Sequence, residues 1–289
     1  MSAPEPKRTP GLELTRVHKQ FDGFNRYYTH DSEVCRHQMN FAAYVPPQAK
    51  DRKLPALYYL SGLTCSEEIF MTEAQAQAHA KKHELILIVP DTSPRRTGIE
   101  GEDASYDLGT GAGFYVDATE PRWSRHFRMD SYVTQELREI VERELPIDAS
   151  RRGIFGHSMG GHGALVLGLR NPELYQSISA FAPICAPSKG PWGRKAFTEY
   201  LGRDEGAWAR YDASELVKRA SARTPILVDQ GTEDEFLERE LFTDTFERVV
   251  RDAAYPATIR RQAGYDHSYF FVSSFMEEHL AFHARHLRG

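Results

Sequence analysis

The chain is 289 residues long, a length that suits one large α/β domain or two small ones. Hydrophobic residues make up 40% and charged residues 27%, values that exclude a fibre, a coiled coil or a disordered tail protein. With 36 basic and 41 acidic residues the formal charge is −5, so there is no general attraction to nucleic acid or anionic lipid, and no apolar run approaches the roughly 18–20 residues of a membrane span.

Residues 1–10 carry three prolines and are expected to form a flexible N-terminal tail, with residues 11–289 as a single domain. The first residues lack the apolar stretch of a secretion signal. Leu12 to Gln20 and Arg36 to Val45 alternate as strands do, the second closed by Pro46-Pro47. Six short apolar runs follow: Ala56–Leu60, Leu85–Val89, Arg152–Phe155, Ser177–Phe181, Pro225–Asp229 and Thr258–Gln262. Continuous runs such as LILIV suit strands buried on both faces of a parallel sheet. Helical stretches lie between them: Glu67–Lys82, Ser131–Glu144 with Val133, Leu137, Ile140 and Val141 on one face, Gly160–Arg170, and Phe236–Ala254. This alternation predicts an α/β fold with a mainly parallel central sheet and helices on both faces. Residues 92–130, rich in glycine and polar residues, read as a long excursion from that domain, and segments of this kind are usually functional. Three cysteines, Cys35, Cys65 and Cys185, make no disulfide framework and no CxxC metal spacing, which points to a reducing, cytoplasmic setting. Cys35 and Cys185 read as packing residues. No metal site is predicted: His279 and His283 are one helical turn apart but have no third ligand. These two and His286 read as solvated positions on a polar C-terminal helix.

Gly156-His157-Ser158-Met159-Gly160 is the only G-x-S-x-G in the chain. It follows a strand candidate and precedes a helix candidate, the context of a nucleophile elbow. Glycines permit the tight turn and the close backbone approach. Ser158 then stands near a helix N-terminus suited to a developing oxyanion. A serine hydroxyl needs a base, and in this arrangement the order along the chain is serine, acid, histidine. His267, in Gly264-Tyr265-Asp266-His267-Ser268 between the last strand and the last helix, is the expected base. The acid comes from the end of the Pro225–Asp229 run. Asp234 in the Gly231-Thr232-Glu233-Asp234 loop is favoured, and Asp229 is read as a structural hydrogen-bonder. Met159 and Leu63 are the expected backbone donors of the oxyanion hole, with Gly62 letting the second N–H turn inward.

Seven segments carry a further pattern: LSGLTCSEEIF (60–70), GEDASYDLGTGAGFYVDAT (101–119), RMDSYVTQEL (128–137), IFGHSMGGHGAL (154–165), FAPICAPSKGPWGRKAFTEYLG (181–202), DQGTEDEFL (229–237) and GYDHSYFF (264–271). They span most of the chain in order, and the sequence resembles the S-formylglutathione hydrolases, the esterase D family. The resemblance implies an α/β-hydrolase fold, no cofactor, and Ser158, Asp234 and His267 as the triad. It also implies hydrolysis of S-formylglutathione to glutathione and formate in formaldehyde detoxification, side activity on short acyl esters, and a homodimer. The sequence departs from that pattern at Tyr106, where the family usually has tryptophan, at Pro121-Arg122-Trp123, and at Met129-Asp130. Cys65, Trp192 and Lys195 are candidate pocket residues: Cys65 follows the oxyanion loop, Trp192 could wall the pocket, and Lys195 or Arg194 could meet substrate carboxylates. Three alternatives stand beside this reading: a short-chain carboxylesterase without glutathione preference, a binding scaffold that has lost its chemistry, and an acyl transferase to an alcohol or sugar.

Overall fold

The computed structural model describes residues 11–288, so the expected tail at residues 1–10 lies outside the described residues. Among the described residues nine strands form one sheet: β1 (Glu13–Gln20), β2 (Gly23–Ser32), β3 (His37–Val45), β4 (Leu54–Leu60), β5 (Ile86–Pro90), β6 (Ile147–His157), β7 (Ser177–Phe181), β8 (Ile226–Gly231) and β9 (Ala257–Gln262). Their order is β1-β2-β3-β5-β4-β6-β7-β8-β9. The pairs from β5 to β9 are parallel, and the β1, β2 and β3 pairings are antiparallel. The expected α/β architecture with a mainly parallel sheet is what the chain adopts.

Every residue of β4, β5, β7 and β8 is buried, as the continuous apolar runs require. On β7, Ser177, Ser179 and Phe181 meet His279 and His283 of the C-terminal helix Tyr269–His286. Ile178 lies against Gly168 of helix Met159–Arg170. Successive side chains point to opposite faces, so this alternation places one helix on each side of the sheet.

Strand β2 is absent from the sequence reading. The turn joining it to β1 is Phe21-Asp22, with φ of 48° and 62° and Gln20 opposite Gly23. Two left-handed residues make a tight hairpin, but Phe-Asp carries none of the Asn-Gly signal that usually announces it. Two expected helices are broken for the same reason. Glu67–Lys82 divides into Glu67–Glu73 and Ala76–His83 at Gln75 (φ 54°), and Phe236–Ala254 divides at Phe242 (φ 54°) before Thr243–Asp252. The expected Ser131–Glu144 helix instead begins at Met129, and Tyr132–Leu137 is wound as a π-helix.

The excursion at 92–130 is less solvated than its composition suggests. Residues 111–116 are buried, and Trp123 packs edge-on to Phe127 and Tyr200. The Tyr200 hydroxyl accepts from Gly109 N (2.8 Å) and donates to Ala112 O (2.9 Å), so a buried tyrosine satisfies backbone that has no sheet partner.

The C-terminal histidines also correct the sequence reading. His279 and His283 are fully buried, and only His286 of the three is exposed. Four residues apart, they share the inward stripe of their helix. Their ring nitrogens meet Ser177, Ser179 and Asp229 at 2.7–3.1 Å, and burial pushes both pKa values below the usual histidine value.

Candidate active site

The site collects at the carboxyl ends of the parallel strands. Ser158 follows β6, Asp234 follows β8, His267 follows β9, and the predicted oxyanion loop follows β4. Ser158 has φ 59° and ψ −120°, a strained conformation for a residue with a side chain. The turn is held by Ser158 N donating to Phe181 O (3.0 Å) and by Ile184 N and His162 N donating to Ser158 O (3.3 and 3.0 Å). Gly160 is required by space: a Cβ there would lie 1.9 Å from Leu60 O. Helix Met159–Arg170 can begin against β4 only with no side chain at that point.

His267 Nδ1 donates to Asp234 Oδ2 at 2.6 Å. The same carboxylate accepts from Gln230 Nε2 (3.0 Å) and from Phe236 N (2.9 Å), and Gln230 is itself held by Thr243 Oγ1 (2.9 Å). The Asp234 side chain is wholly buried and that of His267 is 16% exposed, so one end of the imidazole is anchored while the other reaches the cavity. Asp229 takes the other role. Its carboxylate binds Arg260, His279 and Gln262, with no hydrogen bond to His267 among the described residues. Burial alone would raise its pKa, but hydrogen bonds from His279 and Arg260 outweigh it and hold the group at about 2.

Ser158 and His267 line one cleft of about 310 Å³ with Gly62, Leu63, Thr64, Cys65, Tyr106, His157, Trp192, Phe236, Ser268 and Tyr269. Among the described residues, neither Leu63 N nor Met159 N has a hydrogen-bond partner. The loop carrying Leu63 is fixed by Thr64 N donating to Gly111 O (2.9 Å), Cys65 N to Gly62 O (3.3 Å) and the Tyr115 hydroxyl to Ser61 O (2.9 Å). The left-handed residue of this loop is Thr64 (φ 67°) and not Gly62. Gly62 instead supplies room, since a Cβ on it would come within 3.2 Å of Ser158 Cβ.

A putative-esterase likeness is only part of what known proteins add to this geometry. The Esterase family model, described as "Putative esterase", matches residues 32–282. The S-formylglutathione hydrolase of Rattus norvegicus is 49% identical over 282 residues, 96% of this chain and 100% of that one. That of Paracoccus denitrificans (strain Pd 1222) is 48% identical over 279 residues, 96% of this chain and 99% of its own. A solved S-formylglutathione hydrolase from Agrobacterium tumefaciens superposes with a TM-score of 0.93 at 44% identity, over 95% of this chain and 99% of that chain. The chain belongs to the S-formylglutathione hydrolase family.

Within this family member, two of the three sequence-derived pocket candidates reach the cleft. Trp192 and Cys65 line it. Burial raises the Cys65 thiol above its usual pKa, which keeps it protonated and a poor nucleophile. Lys195 does not line the cleft. Its ammonium is bound to the Asp107 carboxylate and to Ser105 Oγ (2.7 Å), and Arg194 is paired with Glu205 (2.6 Å). Cys35 and Cys185 are buried, as expected of packing residues.

Sequence reasoning gave no role to several cleft residues, among them His157 and Phe236. His157 packs 4.6 Å from the His267 ring. Neither of its nitrogens has a partner among the described residues, and burial, then the nearby charge of His267, pushes its pKa well below the usual value. Phe236 also meets His267, edge-on at 5.0 Å. The base therefore packs against an imidazole that stays neutral and a phenyl ring. Tyr106, which the sequence marked as a departure from the family pattern, also lines the cleft. His157 could have been found as the residue preceding the nucleophile, but Phe236 carries no comparable signal.

Glu67 opens the helix after the oxyanion loop, capped by Ser66. Its Oε2 is buried without a partner, and burial, reinforced by the Asp91 carboxylate, raises its pKa to about 7. The folded state thus holds this proton more tightly than the unfolded chain. The stabilisation is full below pH 4.5 and is lost as the pH rises to about 7. Glu67→Gln, which cannot ionise, is expected to raise stability at pH 8 by up to about 3 kcal/mol and to have little effect at pH 4. Urea unfolding at the two pH values measures this, and an equal effect at both would contradict the assignment.

Proposed function

We propose that this enzyme hydrolyses the thioester S-formylglutathione to glutathione and formate, with Ser158 as nucleophile, His267 as general base and Asp234 as the acid that orients it. What carries the reading is the 2.6 Å bond from His267 Nδ1 to Asp234 in the same cleft as an elbow serine. A histidine held this way presents Nε2 as the acceptor. Ser158 Oγ adds to the formyl carbon as His267 removes its proton. The resulting oxyanion is met by the free N–H groups of Leu63 and Met159, donors worth about 2.7–4 kcal/mol each in such sites. The C–S bond breaks, the glutathione thiolate departs and takes the proton from His267, and the formyl-enzyme remains. Water, deprotonated by His267, then adds to the ester carbonyl; Ser158 leaves reprotonated, and formate is released. A thiolate is a good leaving group, so acid assistance from His267 matters less than it would in amide cleavage.

Residues 11–289 act as one domain in this reading. The three cysteines are unpaired, and none of the helices in the described residues is long and apolar enough to cross a membrane, both of which fit the cytoplasm. The reading includes the homodimer implied by the family.

The cleft wall is aromatic, with Trp192 and Phe236 at 4.8 Å. A hydrophobic pocket discriminates each added methylene by only about 1–3 kcal/mol, so short acyl esters should also turn over. The test compares kcat/KM for S-formylglutathione and p-nitrophenyl acetate. An advantage of orders of magnitude for the thioester is expected. Equal or better turnover of the ester would replace the reading with a general short-chain carboxylesterase.

A further inference from the structure

We infer that the Tyr106 hydroxyl is a specificity-determining donor to the thiol half of the substrate, an inference that rests on the thioesterase reading above. Tyr106 lines the cleft and is 58% exposed, whereas Ser158 at its base is 4% exposed. A formyl group has one carbon and must sit at Ser158 for reaction. Only the thiol partner is long enough to reach the rim.

The tyrosine is presented in a fixed position. Its flanking residues Ser105 and Asp107 are bound to each other and are both held by Lys195. Ser105 and Leu108 also form a one-rung antiparallel bridge across the turn. The Lys195 ammonium is thus spent on the loop that carries Tyr106. The Tyr106 ring stands edge-on to Trp192 at 6.3 Å, and its oxygen accepts a hydrogen bond from Trp192 Nε1 (2.9 Å). Trp192 is anchored in turn by its own N–H on the Glu240 carboxylate (2.9 Å).

A phenol has one proton and two acceptor positions. With Trp192 occupying an acceptor position, the hydroxyl proton remains available, and no described residue accepts it. The donated bond from Trp192 polarises the O–H and strengthens it as a donor. The matching ligand chemistry is a carbonyl or carboxylate oxygen carried by the thiol several bonds from sulfur. The amides and carboxylates of a cysteine peptide supply such oxygens, and a simple alkyl thiol does not.

Tyr106→Phe keeps the ring and removes only the hydroxyl. A hydrogen bond of ordinary strength predicts a rise of roughly three- to tenfold in KM for S-formylglutathione, with the loss in KM and not in kcat. For S-ethyl thioformate, whose thiol half has no acceptor, KM should move less than twofold. An unchanged KM for S-formylglutathione, or an equal rise for both thioesters, overturns the inference. If the unsubstituted enzyme itself fails to prefer S-formylglutathione over p-nitrophenyl acetate, the thioesterase reading is what has failed, and the two failures are told apart by that single comparison.

Discussion

Ser158→Ala is expected to lower kcat on both S-formylglutathione and p-nitrophenyl acetate by about 10⁴- to 10⁶-fold, the range found when a triad nucleophile is removed. The expectation rests on the elbow. Ser158 is held at φ 59° by three backbone hydrogen bonds, and a Cβ at Gly156 or Gly160, two residues to either side, would collide with the start of the helix or with β4. The other cleft groups are worse placed to act: the Ser268 hydroxyl is committed to Asp266 (2.6 Å), and neither it nor Thr64 stands at a nucleophile elbow. The Cys65 thiol is held protonated by burial, and His157 has no proton acceptor to activate it. Alanine removes one oxygen without altering the backbone, so the variant should fold and still bind substrate, with KM little changed. Single-turnover kinetics separates this from misfolding: a formyl-enzyme burst is seen in the parent and absent in the variant. Residual activity above about 1% in both assays, with a burst retained, would move the nucleophile elsewhere. Because both substrates depend on one serine here, loss of only one activity would be equally damaging to the single-site reading.

The parts of this molecule visible in the sequence are those where local chemistry and global fold agree. LILIV and the apolar run around Tyr58 are buried on both faces, and G-x-S-x-G sits between a strand and a helix as its glycines demand. What escaped detection depends on contacts made at long range. His279 and His283 look solvated in a segment with Glu277, Glu278 and Arg285, and only the serines of β7, about 100 residues away, reveal that they are inside. The excursion at 92–130 looks like surface because its polar backbone is satisfied by side chains distant in sequence, Tyr200 from a later helix and Ser93 from 18 residues back in the same excursion. Left-handed Gln75, Phe242 and Phe21 broke helices or closed a hairpin without glycine or asparagine to mark them. Lys195 has the charge to bind a carboxylate, and it does bind one, but the carboxylate is Asp107.

The two acids near the end of β8 should separate cleanly when each is changed to asparagine. In Asp234→Asn the side-chain amide would face His267 Nδ1. An amide N–H donated there forces the imidazole proton onto Nε2, the nitrogen that must accept from Ser158. The wrong tautomer costs about 10⁴-fold in kcat in serine-protease triads, and the same order is expected here. Stability should fall only modestly, because the asparagine oxygen can still accept from Phe236 N, and Gln230 Nε2, which loses Asp234, keeps its bond to Gly231 O (3.1 Å). Asp229→Asn has the opposite profile. Its carboxylate is fully buried between Arg260 and His279 and its pKa is held at about 2 against an ordinary 3.8. A depressed carboxylate pKa contributes stability above pH 3.8 that is lost as the pH falls toward 2. The shift corresponds to about 2–3 kcal/mol at neutral pH, which Asp229→Asn should forfeit, while kcat for the folded enzyme stays within about tenfold of the parent. Guanidinium unfolding and kcat measured on the same two preparations decide the assignment. If Asp229→Asn were the variant that lost 10⁴ in kcat at full stability, the carboxylate orienting His267 in solution would be Asp229, and the loop carrying Asp234 would have to adopt a different course in the working enzyme.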